Sequence, residues 1–209
     1  MPEPSPLRRV CVYCGSRPGL RPAYAHAARQ LGVELARRGI GLVTGGGAVG
    51  LMGAVANAAL EGGGEATGVI PRAMVEREVG HASLTELRVV ETMHQRKATM
   101  ASLADAFVAM PGGLGTLEEI AEALTWVQLG IHAKPCAILD VEGYYAPLID
   151  WLDGAVREGF VLPERRAAVV IESDPIALVD ALEALAADSA HPGGDAEAGR
   201  AGADEPGGC

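Results

Sequence analysis

Short apolar runs alternate with longer amphipathic segments along almost the whole chain. Residues 9–13, 40–44, 65–70, 84–90, 106–110, 135–139 and 168–171 read as strands, because each is a brief, nearly continuous apolar stretch bounded by turn residues. Helices are predicted over 22–38, 51–60, 93–103, 116–129, 144–158 and 175–187. Pro22 suits a first helical turn, Gly39 a helix end, and Asp174 the position just before a helix. Strands this apolar, separated by helices, belong to a parallel sheet covered on both faces. The expected fold is α/β, a Rossmann-like doubly wound parallel sheet of about seven strands with helices on both faces. One domain over 8–188 accounts for the pattern. From 189 to 209 the chain is small, polar and unpatterned, and reads as a disordered tail.

Ligands of such sheets bind beyond the carboxyl ends of the strands, and the glycine loops all read as lying there. The most specific is Pro111-Gly112-Gly113-Leu114-Gly115-Thr116-Leu117-Glu118-Glu119, directly after the strand at 106–110. Glycine-exposed N–H groups at a helix start form an anion site. Thr116-x-x-Glu119 also matches a capping box, in which the glutamate merely satisfies the helix's own N–H groups. Gly45-x-Gly47-x-x-Gly50 fits the dinucleotide fingerprint as a string. It follows the second strand rather than the first, and no acid stands about 20 residues on. A phosphate or backbone-anchoring role fits it better. Met93-His94-Gln95-Arg96-Lys97 opens the helix before the strand at 106–110. Parallel topology places Arg96, Lys97 and Glu119 on one rim, where an arginine fork and a lysine suit a phosphate or a ribose hydroxyl.

Composition narrows the class. The 209 residues are 49% hydrophobic but only 4% aromatic, so the core must be built of Ala, Val, Leu and Ile. A net charge of −10 argues against nucleic-acid or anionic-membrane partners. No apolar leader or spanning segment is present in the sequence, and the four cysteines read as reduced thiols, so a cytoplasmic protein is expected. Cys11-x-x-Cys14 reads as core and loop residues rather than a metal half-site. No metal and no cofactor are expected. The two lysines, Lys97 and Lys134, leave only Lys97 as a Schiff-base candidate for pyridoxal phosphate.

Pro111 to Glu119, together with Met93-His94-x-Arg96-Lys97-Ala98, resembles the paired motifs of the Lonely Guy family, cytokinin-activating phosphoribohydrolases long labelled lysine decarboxylases. The likeness runs from about Val10 to Leu185. It takes in Cys14-Gly15-Ser16, Gly45-Gly46-Gly47 with Gly50-Leu51-Met52-Gly53, Arg77-Glu78, Thr125-Trp126-x-Gln128-Leu129-Gly130-Ile131-His132 and Gly143-Tyr144-Tyr145. The resemblance implies a homodimer that hydrolyses N6-substituted adenosine 5′-monophosphates to free base and ribose 5-phosphate. It carries the catalytic roles to Arg96 and Glu119. It carries substrate contacts to Gly15, Ser16, Gly46, Gly47, Glu78, Lys97, Gly112, Gly113, Leu114, Gly115, Thr116, Leu117, Glu118 and Thr125. Alternatives left open are a general AMP nucleosidase, a non-catalytic carrier of molybdenum cofactor, and a pyridoxal-dependent decarboxylase.

Overall fold

The computed structural model describes residues 7–75 and 80–190. Seven strands form one sheet: β1 (Arg9–Tyr13), β2 (Gly41–Thr44), β3 (Ala66–Pro71), β4 (Glu86–Val90), β5 (Ala106–Ala109), β6 (Cys136–Leu139) and β7 (Val169–Glu172). Their order is β4-β3-β2-β1-β5-β6-β7, and every pairing is parallel. The helices are α1 (Pro22–Arg37), α2 (Gly50–Glu61), α3 (Met93–Leu103), α4 (Leu114–Gln128), α5 (Ala146–Arg157), α6 (Pro163–Ala167) and α7 (Pro175–Ala190). Asp174 does cap α7, its carboxylate accepting from the N–H of Ile176 at 2.9 Å and of Ala177 at 3.0 Å.

Alternation of side chains along the strands divides the core. Val10 and Val12 of β1 face α1, α2 and α7, with Leu31, Leu35, Val55, Leu178 and Leu182. Cys11 and Tyr13 face the other way, onto Met100 of α3 and Ile120 and Ala123 of α4. Tyr13 stacks on Phe107 with ring centroids 6.0 Å apart. The doubly wound expectation therefore holds. The short α6 was not foreseen: Pro-Glu-Arg-Arg-Ala is less than two turns and carries no apolar stripe for periodicity to detect.

One expectation about the glycines needs correcting. Gly39 and Gly62-Gly63-Gly64 precede β2 and β3, so they lie at the amino edge of the sheet, opposite the loops at 45–50 and 111–115. They end helices rather than receive a ligand. The predicted tail falls, beyond Ala190, outside the described residues, as does Glu78.

Candidate active site

The sheet reverses its winding between β1 and β5, where β1 leads through α1 to one side and β5 through α4 to the other. A crevice opens at such a switch point. Here the N–H of Gly15, after β1, donates to the carbonyl of Pro111, after β5, at 3.1 Å. The Gly15 carbonyl accepts in turn from the first N–H groups of α2, Leu51 at 3.0 Å and Met52 at 3.3 Å. Above these loops lies a cavity of about 490 Å³.

Arg96 forms its floor. A full capping box starts α3: Thr92 Oγ1 accepts from the Gln95 N–H at 3.1 Å, and Gln95 Oε1 accepts from the Thr92 N–H at 3.3 Å. That fixed start aims Arg96, one turn on, inward, and only 4% of it is exposed. Its Nη2 donates to the carbonyl of Gly45 at 3.0 Å. A Cβ on Gly45 would stand 1.9 Å from that nitrogen, so the glycine is what makes room for the guanidinium. The thioethers of Met74 and Met93 lie 3.9 and 3.8 Å from Nη1 and give this end an apolar wall.

The opposite wall is the start of α4. Its N-cap is Gly113, which brings no side chain to cap the first turn. Leu114, Gly115 and Thr116 thus present backbone N–H groups where the helix meets the cavity. Thr116 is inside the helix and cannot be its cap, so the capping-box reading of Thr116-x-x-Glu119 does not describe this helix. The Thr116 hydroxyl instead sits over Gly112, where a Cβ would be 2.1 Å from it. Glu119, one turn further, is half-buried and lines the cavity with Arg96. Its charge reaches the end of β1: burial pushes the Cys11 and Cys14 thiols up, and the Glu119 carboxylate pushes both further. Protonated, buried thiols agree with the reading of these cysteines as core residues.

Of the other expected contacts, Gly15, Ser16, Gly112, Gly113, Leu114, Gly115, Thr116 and Glu118 also line this cavity. Lys97 does not. Neighbouring helical residues point in different directions, and Lys97 turns to α4, donating to Glu118 and, at 3.1 Å, to Glu122. Gly46 and Gly47 are buried and do not line it either; their N–H groups donate to Thr44 Oγ1 and to the Met52 sulfur. Leu117 and Thr125 face a separate apolar groove between α4 and α5.

The structure adds Arg17, Tyr24, Met52, Met74 and Tyr144 to the lining. Tyr144 and Tyr145 precede α5 in a turn; their hydroxyls donate to the carbonyls of Gly112 and of Met110, the latter at 2.7 Å. Tyr144 also packs edge-on against Tyr24, centroids 5.6 Å apart. The aromatic pair therefore pins the glycine loop from the side of α1.

Residues 52–182 match the family model described as "possible lysine decarboxylase". Over 179 residues the chain is 51% identical to a cytokinin riboside 5′-monophosphate phosphoribohydrolase of Arabidopsis thaliana, covering 86% of this chain and 82% of that one. A phosphoribohydrolase of the same name from Oryza sativa is 51% identical over 166 residues, 79% and 69% of the two chains. The chain belongs to the cytokinin riboside 5′-monophosphate phosphoribohydrolase family. The molybdenum cofactor carrier protein of Chlamydomonas reinhardtii shares the fold, with a TM-score of 0.67 at 22% identity over 87% of this chain and 99% of that one. The corresponding binding protein of Rippkaea orientalis does so at 0.64 and 23%, over 86% and 97%. The phosphoribohydrolases are thus similar in sequence over most of the chain, whereas the likeness to the carriers, at 22–23% identity, is one of fold.

Proposed function

We propose that the protein hydrolyses the N-glycosidic bond of N6-substituted adenosine 5′-monophosphates, releasing the free base and ribose 5-phosphate. The observation that carries this reading is one cavity holding a buried arginine, a half-buried glutamate and an uncapped helix start in a glycine loop. Cleavage of such a bond builds positive charge on the ribose, as in glycoside hydrolysis. Glu119 is suited to stabilise that charge and to take a proton from the attacking water. The water's oxygen ends on C1′, the C–N bond electrons leave with the base, and a proton reaches the base nitrogen. Arg96, beside the methionine wall, would position the ribose or assist the departing base. The glycine loop would hold the 5′-phosphate, binding energy that fixes C1′ against the carboxylate. A carrier has no use for the Arg96 and Glu119 pair, which weighs against that alternative. Neither lysine lines the cavity: Lys97 is held by two carboxylates, and Lys134 donates to the Ala101 carbonyl at 2.8 Å. That weighs against Schiff-base chemistry.

The second component of the reading is a homodimer. The groove between α4 and α5, about 360 Å³, is lined by Leu117, Leu124, Leu152 and Val161, with Trp151 64% exposed at its edge. Leu129, Ile131 and Phe160, just beyond the ends of α4 and α5, are exposed as well, and a second copy would cover this apolar groove. Three buried free thiols support a cytoplasmic setting. The deciding assay incubates the protein with isopentenyladenosine 5′-monophosphate, AMP and the two matching nucleosides. Base release from the monophosphates alone is expected, and the N6-substituted one should react faster. Equal release from nucleosides would overturn the phosphate role, and preference for AMP would favour a general nucleosidase.

A further inference from the structure

We infer that Arg17 is the side chain that reads the 5′-phosphate and so separates nucleotides from nucleosides; this rests on the function proposed above. A phosphate seated on the start of α4 would stand close to two carboxylates, Glu118 and Glu119, on the same helix. It needs a cation there. Lys97, the residue that sequence alone points to, is spent on Glu118 and Glu122 and does not line the cavity. Arg96 lies at the floor, among the methionine sulfurs, with Nη2 on the Gly45 carbonyl. Among the described residues lining the cavity, Arg17 is the remaining cation, exposed at the mouth and in no ion pair or hydrogen bond of its guanidinium.

The backbone that carries Arg17 is fixed at the correct place. A Cβ on Gly50 would lie 2.5 Å from the Arg17 nitrogen, and a Cβ on Gly15 would lie 3.0 Å from the Arg17 carbonyl oxygen. A Cβ on Gly112 would be 3.0 Å from the Gly15 nitrogen. The segment 15–17 is thus wedged between the start of α2 and the glycine loop. Gly19, at φ +73°, then turns the chain onto the Tyr24 ring. From that anchored position a guanidinium fork can meet two phosphate oxygens while the α4 N–H groups meet the third. Arg17 would act on substrate binding and take no part in breaking the bond.

The experiment compares kcat/KM for isopentenyladenosine 5′-monophosphate with that for the nucleoside, in wild type, Arg17→Ala and Arg17→Lys. The nucleotide-to-nucleoside ratio should fall about 10- to 100-fold in Arg17→Ala, the scale of a charge-assisted bond. Arg17→Lys, which keeps the charge but loses the fork, should fall between. A ratio within twofold of wild type in Arg17→Ala overturns the assignment and leaves the phosphate to backbone groups. Calorimetry with ribose 5-phosphate provides the arm that does not depend on turnover. If the wild type cleaves nothing, the proposed function fails, and Arg17 is judged on this arm alone. A loss of about tenfold or more in affinity on Arg17→Ala supports its role, and equal affinity refutes it.

Discussion

The two edges of the sheet carry cavities of nearly equal size, about 490 Å³ at the carboxyl edge and about 480 Å³ at the amino edge. Both are rich in glycine, and both are lined by arginines and acids. Their chemistry is opposite. In a parallel sheet, helices begin at the carboxyl edge and end at the amino edge. The first cavity therefore faces the starts of α2, α3 and α4, with donor N–H groups. The second faces the ends of α1, α2 and α3, with carbonyls. At the amino edge Asp105 is held by backbone: its Oδ2 accepts from the N–H of Arg8 at 3.0 Å and of Arg9 at 2.9 Å. The glycines differ in kind as well. Gly45, Gly50 and Gly112 clear space for a guanidinium, a backbone and a hydroxyl. Gly63 and Gly39 turn helix ends. Neither glycine content nor cavity size marks the site; helix direction does.

The sharpest way to break this contrast is at Glu119. Glu119→Gln keeps the shape and removes the charge, and should lower kcat on the monophosphate about 10²- to 10⁴-fold with an unchanged melting temperature. Near-normal turnover would reduce the carboxyl-edge cavity to a binding site and return Glu119 to a structural role.

Gly45→Ala comes next. The added methyl would meet Arg96 Nη2 at 1.9 Å and the Met52 side chain at 3.0 Å. Both atoms are ends of flexible side chains, so stability should fall by less than about 2 kcal/mol. The guanidinium, however, must leave the Gly45 carbonyl. A displacement of that order costs roughly 10²-fold in kcat/KM. Retained kinetics would mean that the observed seat of Arg96 is not the working one.

How much of this was legible beforehand follows the same division. Buried strands announced themselves as apolar runs, and β1 and α3 begin and end where the pattern placed them. The glycine loop, Arg96 and Glu119 were legible because each belongs to a contiguous motif. Helix α4 starts at Leu114 rather than Thr116 because glycine itself is an acceptable N-cap, and the Thr116 hydroxyl is engaged over Gly112. Lys97 looked like a partner of Arg96 because it is adjacent in sequence, yet adjacency on a helix turns two side chains apart. Arg17, Met74 and Tyr144 reach the cavity from three separate loops, and no periodicity within one segment can report a meeting of that kind.

The smallest effect tests the amino edge. Gly63, at φ +79°, ends α2 in a paired turn: its N–H donates to the Leu60 carbonyl at 3.0 Å, and the Gly64 N–H to the Ala59 carbonyl at 2.9 Å. Nothing lies within 4 Å of where its Cβ would be, so Gly63→Ala meets no clash and suffers only the left-handed backbone. That strain is about 1 kcal/mol, equivalent to roughly 2–4 °C in melting temperature for a chain of this size. Kinetic constants on the monophosphate should not move, because this turn stands at the opposite end of α2 from Leu51 and Met52, which line the carboxyl-edge cavity. Scanning calorimetry and steady-state kinetics on the same preparation measure both quantities. A drop in kcat/KM comparable to that of Gly45→Ala would mean that the two edges are coupled through α2, whose first residues hold the Gly15 carbonyl and whose last residues form this turn.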